Sequence, residues 1–276
     1  MQLYNDNYKV YDRNHRLEIA LISTIGERNE QQDCAGYEFI RDEGLAVVCD
    51  GMGGMECGRQ AAAVGVETML EAYKGIFAQV YDRTDADTVN PHTFLVKTAE
   101  DADSLVAGLI DSKGHKGTAG STMVAVLISG QKLYWISVGD SRIYLYRNRE
   151  MVRVTTDHTY QAVLDEQLSS GKISREEYES ELYRGKALVS YLGVNGMQLI
   201  DANDIAFGLE KNDRLLLLTD GFYRLVSDEE LRECLENNID INDAAMAIEQ
   251  LAMSRESASP KDNRTMALLE IKQMDF

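Results

Sequence analysis

Two apolar runs in this chain each end in Asp-Gly: Leu45-Ala46-Val47-Val48-Cys49 leads into Asp50-Gly51, and Leu215-Leu216-Leu217-Leu218-Thr219 leads into Asp220-Gly221. Short apolar runs closed by a polar break have the length of buried strands rather than of helices. An aspartate at the end of such a strand projects from a rigid element past the sheet edge. The glycine behind it allows a sharp turn and a close backbone approach. One such segment alone reads equally well as a tight turn with a solvated acid. Two in one chain point to a fold whose strands deliver acids to their ends.

The other strand patterns fall into groups. Residues 17–24, 34–40 and 45–50 form a first set; 121–129, 132–138, 142–147 and 151–155 form a second; 214–219 and 265–271 come late. Helical periodicity covers 58–73, with Ala62, Val66, Met69 and Tyr73 on one face, then 92–112, 228–237 and 242–255. Ser227 and Glu230 have the spacing of a capping box. Strands and helices come in blocks rather than in strict βαβ alternation, which predicts an α+β class with antiparallel sheets and segregated helices. Residues 157–185 are polar, charged and helical in pattern, and read as an insertion on the core. The acidic stretch 81–90, followed by Pro91, reads as a surface loop. With no repeat, no low-complexity tract and two prolines, residues 1–276 are expected to form one domain.

Composition narrows the chemistry. At 276 residues and 44% hydrophobic content the chain can fill a real core. No run approaches the roughly 18 apolar residues of a membrane span, and residues 1–10 are too polar for a signal peptide, so a cytoplasmic protein without a membrane partner is expected. Cys34, Cys49, Cys57 and Cys234 contain no CxxC pair and read as reduced thiols. The four histidines lack zinc-ligand spacing, so a metal site would be built from oxygen, which suits magnesium or manganese. A net charge of −18 argues against a nucleic-acid partner, since no basic face is left to release counterions.

Three more acids stand beside strand ends. Asp140 lies in Ser137-Val138-Gly139-Asp140-Ser141-Arg142, where a plain hairpin is the alternative reading. Asp262 lies in Lys261-Asp262-Asn263-Arg264 ahead of the last strand, and Arg28 and Asp33 flank a polar run between the first two. Gathering carboxylates is costly: two like charges about 4 Å apart repel by roughly 4 kcal/mol at an effective dielectric of 20. Protons or cations must offset that. Two divalent ions about 3.5–4 Å apart would do so, and can share a hydroxide and polarise a phosphoryl group.

The order of these blocks resembles the metal-dependent, type 2C serine/threonine protein phosphatases, in their bacterial branch. The resemblance rests on residues 26–33, 50–54 (DGMGG), 117–122 (GTAGST), 138–142 (VGDSR), and Thr219-Asp220-Gly221 with Asp262-Asn263, and runs over 26–271. It implies two stacked antiparallel sheets flanked by helices on both sides, a four-layer αββα sandwich with metals at one end. By position, Asp50 would bridge two ions, the Gly51 carbonyl would ligate one, and Asp220 and Asp262 would complete the pair. Asp33 would hold metal-bound water. Asp140 with Asp220 would match a third, weaker ion, and Arg28 would grip the substrate phosphate. Residues 157–185 sit where bacterial relatives carry a mobile flap.

The activity implied is hydrolysis of phosphoserine and phosphothreonine in proteins by a metal-bridging hydroxide, with Arg28, Asp50 and Asp220 as catalytic residues and manganese or magnesium as cofactor. It would reverse a Ser/Thr kinase, whose phosphorylated substrates and the kinase itself are the expected partners, and a monomer is expected. Two alternatives stay open: a non-catalytic regulatory module of the same fold, and a partner-switch phosphatase acting on an anti-anti-sigma-like protein. The intact aspartate set argues against the first. Two departures stand out. Gln31-Gln32 precedes Asp33 where the family usually has Asn before Gln-Asp or Glu-Asp. Met52 stands where some relatives have a histidine proposed to protonate the leaving group. Trp135 is expected in the core, His158 at the surface or a cap, and Cys34 and Cys49 as buried thiols turned from the ligand direction.

Overall fold

The computed structural model describes residues 7–53, 55–80, 89–110, 114–115, 119–255 and 262–272. Its strands form two six-stranded antiparallel sheets. The first runs β1 (Tyr8–Arg13), β2 (Leu17–Thr24), β14 (Arg264–Ile271), β13 (Arg214–Leu218), β9 (Arg142–Arg147) and β10 (Glu150–Arg153). The second runs β11 (Asp201–Ala202), β8 (Lys132–Val138), β7 (Met123–Ser129), β4 (Glu43–Cys49) and β3 (Cys34–Ile40), with β12 (Phe207–Gly208) also paired to β8. A two-stranded ribbon joins β5 (Gly51–Gly53) to β6 (Ala119–Ser121).

The apolar runs show why the layers stack. Side chains alternate across a strand, and here both faces are covered. From β13, Leu215 and Leu217 enter the core between the sheets, while Leu216 and Leu218 face a second core with α6 (Asp228–Asn237) and α7 (Ile241–Arg255). From β4, Ala46 and Val48 join the inter-sheet core, while Leu45, Val47 and Cys49 face α1 (Met55–Val80) and α2 (Pro91–Ala107). Helix, sheet, sheet, helix is the expected four-layer order.

Ala62, Val66, Met69 and Tyr73 are all fully buried, as the periodicity of α1 requires. That helix starts at Met55 and reaches Val80, longer than expected at both ends. The helix expected over 92–112 is Pro91–Ala107, opened by the Asn90 side chain accepting from the Thr93 amide; residues 111–112 and 81–88 lie outside the described residues. The Ser227–Glu230 capping box is present. The strand expected over 121–129 breaks at Thr122, whose amide donates to the Asp50 carbonyl at 2.8 Å. Strand β1 was missed, because its Lys9, Asp12 and Arg13 give no apolar alternation and it forms a sheet edge.

Residues 157–185 hold α3 (Tyr160–Ser169) and α4 (Arg175–Glu181), which together bury only Leu164. Their root is tied down: Thr159 bridges Leu188, and the Tyr160 amide donates to the Ala187 carbonyl at 2.8 Å. Between β13 and α6 sits one helical turn, α5 (Asp220–Tyr223). Among the described residues no helix is long and apolar enough to cross a membrane.

Candidate metal centre

Strand register gathers the acids. Leu218 on β13 pairs with both Met266 on β14 and Arg142 on β9, so Asp220, Asp262 and Asp140 leave the first sheet at one end. In the second sheet Cys34 pairs with Cys49, which sets Asp33 and Asp50 one residue beyond that pair. The two sheets are then laced together. The Thr219 hydroxyl donates to Asp33 Oδ2 at 3.0 Å, and the Gln32 amide donates to Asn263 Oδ1 at 2.9 Å. Asn263 Nδ2 in turn donates to the carbonyls of Ile25 and Glu30, at 2.9 and 3.0 Å.

Both Asp-Gly glycines stand where another backbone comes close. A Cβ on Gly51 would lie 2.0 Å from the Gly58 carbonyl oxygen, and one on Gly221 would lie 1.9 Å from that of Asn263. No side chain fits either gap.

Each carboxylate has its own frame. The Asp50 amide donates to Thr122 Oγ1 at 3.0 Å, and the Asp50 carbonyl accepts from the Ser121 hydroxyl at 3.0 Å. Asp140 follows Gly139, which has φ +101°. The turn is held by His158, whose Nδ1 accepts from the Gly139 amide at 3.2 Å and whose amide donates to the Gly139 carbonyl at 2.8 Å. His158 is therefore not a surface or capping residue as expected: it is 6% exposed, and burial holds its imidazole below the ordinary pKa. Its signal in the sequence, a lone Asp-His pair, does not show that it packs under a turn nineteen residues earlier.

Asp50, Asp140, Asp220 and Asp262 line a cleft of about 300 Å³, together with Gly51, Met52, Arg28, Lys186 and Arg224. Asp33 lies behind it, 1% exposed. Arg28 Nη2 pairs with Asp262 Oδ1 at 2.9 Å. Arg224, which sequence reasoning missed, pairs through Nη2 with Asp220 Oδ2 at 2.5 Å and stands 3.6 Å from Asp262 Oδ2 through Nη1. Its spacing of four residues from Asp220 across a helical turn was a readable signal.

Burial and mutual repulsion drive the acids the same way. Burial, reinforced by the Asp220 and Asp262 charges, pushes Asp33 up to about 7 against the opposing effect of the nearby Thr265 and Thr219 hydroxyls. Burial pushes Asp220 up to about 7 as well, with Arg224 opposing and Asp262 and Asp140 adding. Asp50 is pushed well above its ordinary value by burial first and then by Asp33, Asp220, Asp262 and Asp140. Asp140 is raised by burial, while the Arg224 charge pulls it back.

As the side chains stand, no three His, Cys, Asp or Glu among the described residues form a ready cluster round an ion. Asp220 and Asp262 are turned to guanidinium groups instead. The donor chemistry nevertheless fits hard divalent ions: the cleft acids offer oxygen only. Asp220 Oδ1 is the sharpest test, being buried with no hydrogen-bond partner. A buried, unpaired carboxylate oxygen is costly unless a proton or cation meets it. Away from the cleft, Cys34 and Cys49 are fully buried in the core under α1 and α2, and Trp135 packs against the inter-sheet core.

Two helix-covered antiparallel sheets with such a carboxylate cleft at one end define a class, the metal-dependent phosphoester hydrolases. The model of the protein phosphatase 2C family matches residues 27–164, half of the chain, and the chain belongs to that family of protein-serine/threonine phosphatases. It is 28% identical to the serine/threonine phosphatase stp of Listeria monocytogenes, over 88% of this chain and 91% of that one. It is 27% identical to the protein phosphatase PhpP of Streptococcus pneumoniae, over 94% and 99%. The S. agalactiae serine/threonine phosphatase shares the fold with a TM-score of 0.74 at 24% identity, over 93% of this chain and 100% of that one. The catalytic domain of the phosphatase PstP, solved with two manganese ions, does so with a TM-score of 0.69 at 23% identity, over 94% and 99%.

Proposed function

We propose that this chain hydrolyses phosphoserine and phosphothreonine in proteins and so reverses a Ser/Thr kinase. What carries the reading is the meeting of four aspartates from both sheets at one cleft, with Asp33 behind them and Asp220 Oδ1 buried and unpaired. Asp50, the Gly51 carbonyl, Asp220 and Asp262 would hold two manganese or magnesium ions, and Asp33 would order water beside them. A third, weaker site would need Asp140 together with Asp220. Bound divalent ions supply a neutralising charge, an acidified water as nucleophile and polarisation of the phosphoryl group.

The chain's own residues do the rest. Arg28, half exposed at the cleft, presents a guanidinium fork to the phosphate oxygens and offsets the charge that develops there. The Gly51 and Gly221 contacts keep Asp50 and Asp220 at fixed depth, since neither backbone can retreat without losing its close neighbour. Residues 157–185 act as a flap on a single catalytic domain. Support comes from Lys186 and Leu188, at the foot of that segment, which line the cleft. The enzyme acts as a monomer in the cytoplasm on phosphorylated proteins. The test is phosphate release from phosphoserine and phosphothreonine peptides with manganese, and again with a chelator. Turnover that depends on manganese is expected; a folded, manganese-loaded protein that releases no phosphate overturns the proposal.

A further inference from the structure

The family resemblance places a third, weaker ion between Asp140 and Asp220, and in this chain that space has another tenant. Arg224 sits one helical turn after Asp220, its amide bonded to the Asp220 carbonyl at 3.0 Å, so its side chain starts from a backbone fixed beside that acid. Its guanidinium takes Asp220 Oδ2 at 2.5 Å and reaches toward Asp262 Oδ2 at 3.6 Å. Asp140 feels the same charge, which pulls its carboxyl back toward the ionised form against burial, and Tyr223 lies beside it. Tyr223 is itself held, with the Arg142 guanidinium 3.7 Å above its ring and Arg142 fixed by Asp157 at 2.8 and 3.1 Å.

The two oxygens of Asp220 are thus already divided. Oδ2 belongs to Arg224, while Oδ1 is buried and without a partner. We propose that Arg224 is a built-in counter-cation that replaces the third ion, leaving Asp220 Oδ1 for the metal pair and making this a two-ion enzyme. The inference rests on the proposed metal chemistry and adds which positive charge stands beside Asp140. A guanidinium fits the position because it is permanently charged, planar and able to serve two carboxylates at once. A divalent ion entering there would have to displace an ion pair and sit against a tethered like charge.

Ion stoichiometry tests this without reference to turnover. Full-length protein is titrated with manganese, and free manganese is followed by its electron paramagnetic resonance signal. Wild type should saturate at two ions per chain. Arg224→Gln should take up a third, weaker ion, which adding Asp140→Asn should remove while the first two stay bound. Arg224→Lys, which keeps the charge, should behave as wild type, and melting curves establish that each variant is folded. A third ion in wild type that Asp140→Asn removes, or a folded Arg224→Gln that stays at two, overturns the inference alone. Fewer than two ions in wild type overturns the proposed metal chemistry and this inference with it.

Discussion

The hydroxyl of Thr219, at the end of one sheet, donates to Oδ2 of Asp33, at the root of the other, across 3.0 Å of buried space. Thr219 Oγ1 also accepts from the Thr265 amide at 3.1 Å, and Thr265 shares a hydroxyl contact with Ser23 at 3.0 Å. Thr219→Val keeps the shape and leaves Asp33 short of a donor. A buried acceptor so orphaned costs about 1–3 kcal/mol. Urea unfolding at neutral pH should show that loss, and calorimetry should show weaker manganese binding. A variant as stable as wild type with unchanged manganese affinity would make the inter-sheet bond ornamental.

Asp50→Asn and Asp220→Asn should each reduce phosphopeptide turnover by about a thousandfold, the scale of several kcal/mol of lost transition-state stabilisation. In chelator both should melt at or above the wild-type temperature, because each substitution removes a buried charge from a repelling group. Steady-state assays at saturating manganese check the first part. A fully active Asp220→Asn would remove Asp220 from the machinery.

Without metal, stability should fall as pH rises. Asp33 and Asp220 are pushed up to about 7 in the folded protein, against an ordinary value of 3.8. Between those values the folded state binds more protons than the unfolded one, so the stabilisation present below about 4 is lost as pH climbs through about 7. Melting temperature in chelator should drop from pH 5 to pH 8. Manganese should reverse the trend, binding more tightly with rising pH and releasing protons. At about 100 times its dissociation constant one ion adds roughly 2.7 kcal/mol, or about 5–10 °C. Melting curves that ignore both pH and manganese would contradict the site.

Arg28→Ala should raise KM for a phosphopeptide by about tenfold or more, since a charged hydrogen bond contributes about 1.5–3 kcal/mol. Manganese affinity should hold or rise, because Asp262 loses a competing cation. If the variant instead sheds its ions, Arg28 is a structural brace for Asp262.

The fold was legible where both faces of a strand are apolar. Leu215 to Leu218 read as a strand without ambiguity because each of them is buried. The Asp-Gly doublets were legible for a related reason, since a glycine at a strand end signals a close approach before its partner is known. Arg224 and His158 were harder. One acts through a carboxylate four residues earlier, the other under the turn by which the chain crosses from β8 in one sheet to β9 in the other. The spacing of Arg224 from Asp220 could be read once that turn is known to be helical, whereas the role of His158 depends on which loops meet, and side-chain pattern says little about that. Strand β1 escaped because none of its six residues is buried, so this edge strand carries no clear apolar pattern.

The lacing of the two sheets has a consequence for the newly made chain. Asp33 and Asp50 leave one sheet, Asp220 and Asp262 the other, and the bonds that join them span 186 residues from Thr219 to Asp33 and 234 from Asp262 to Arg28. Such distant partners meet late, after the loop-closure entropy of the intervening chain has been overcome. A chain with only one sheet formed has half of the acid cleft and, on the proposed function, would have no catalytic centre. On the proposed function, competence would arrive with the last closure of the sandwich, and an unfinished molecule would not strip phosphate from its neighbours.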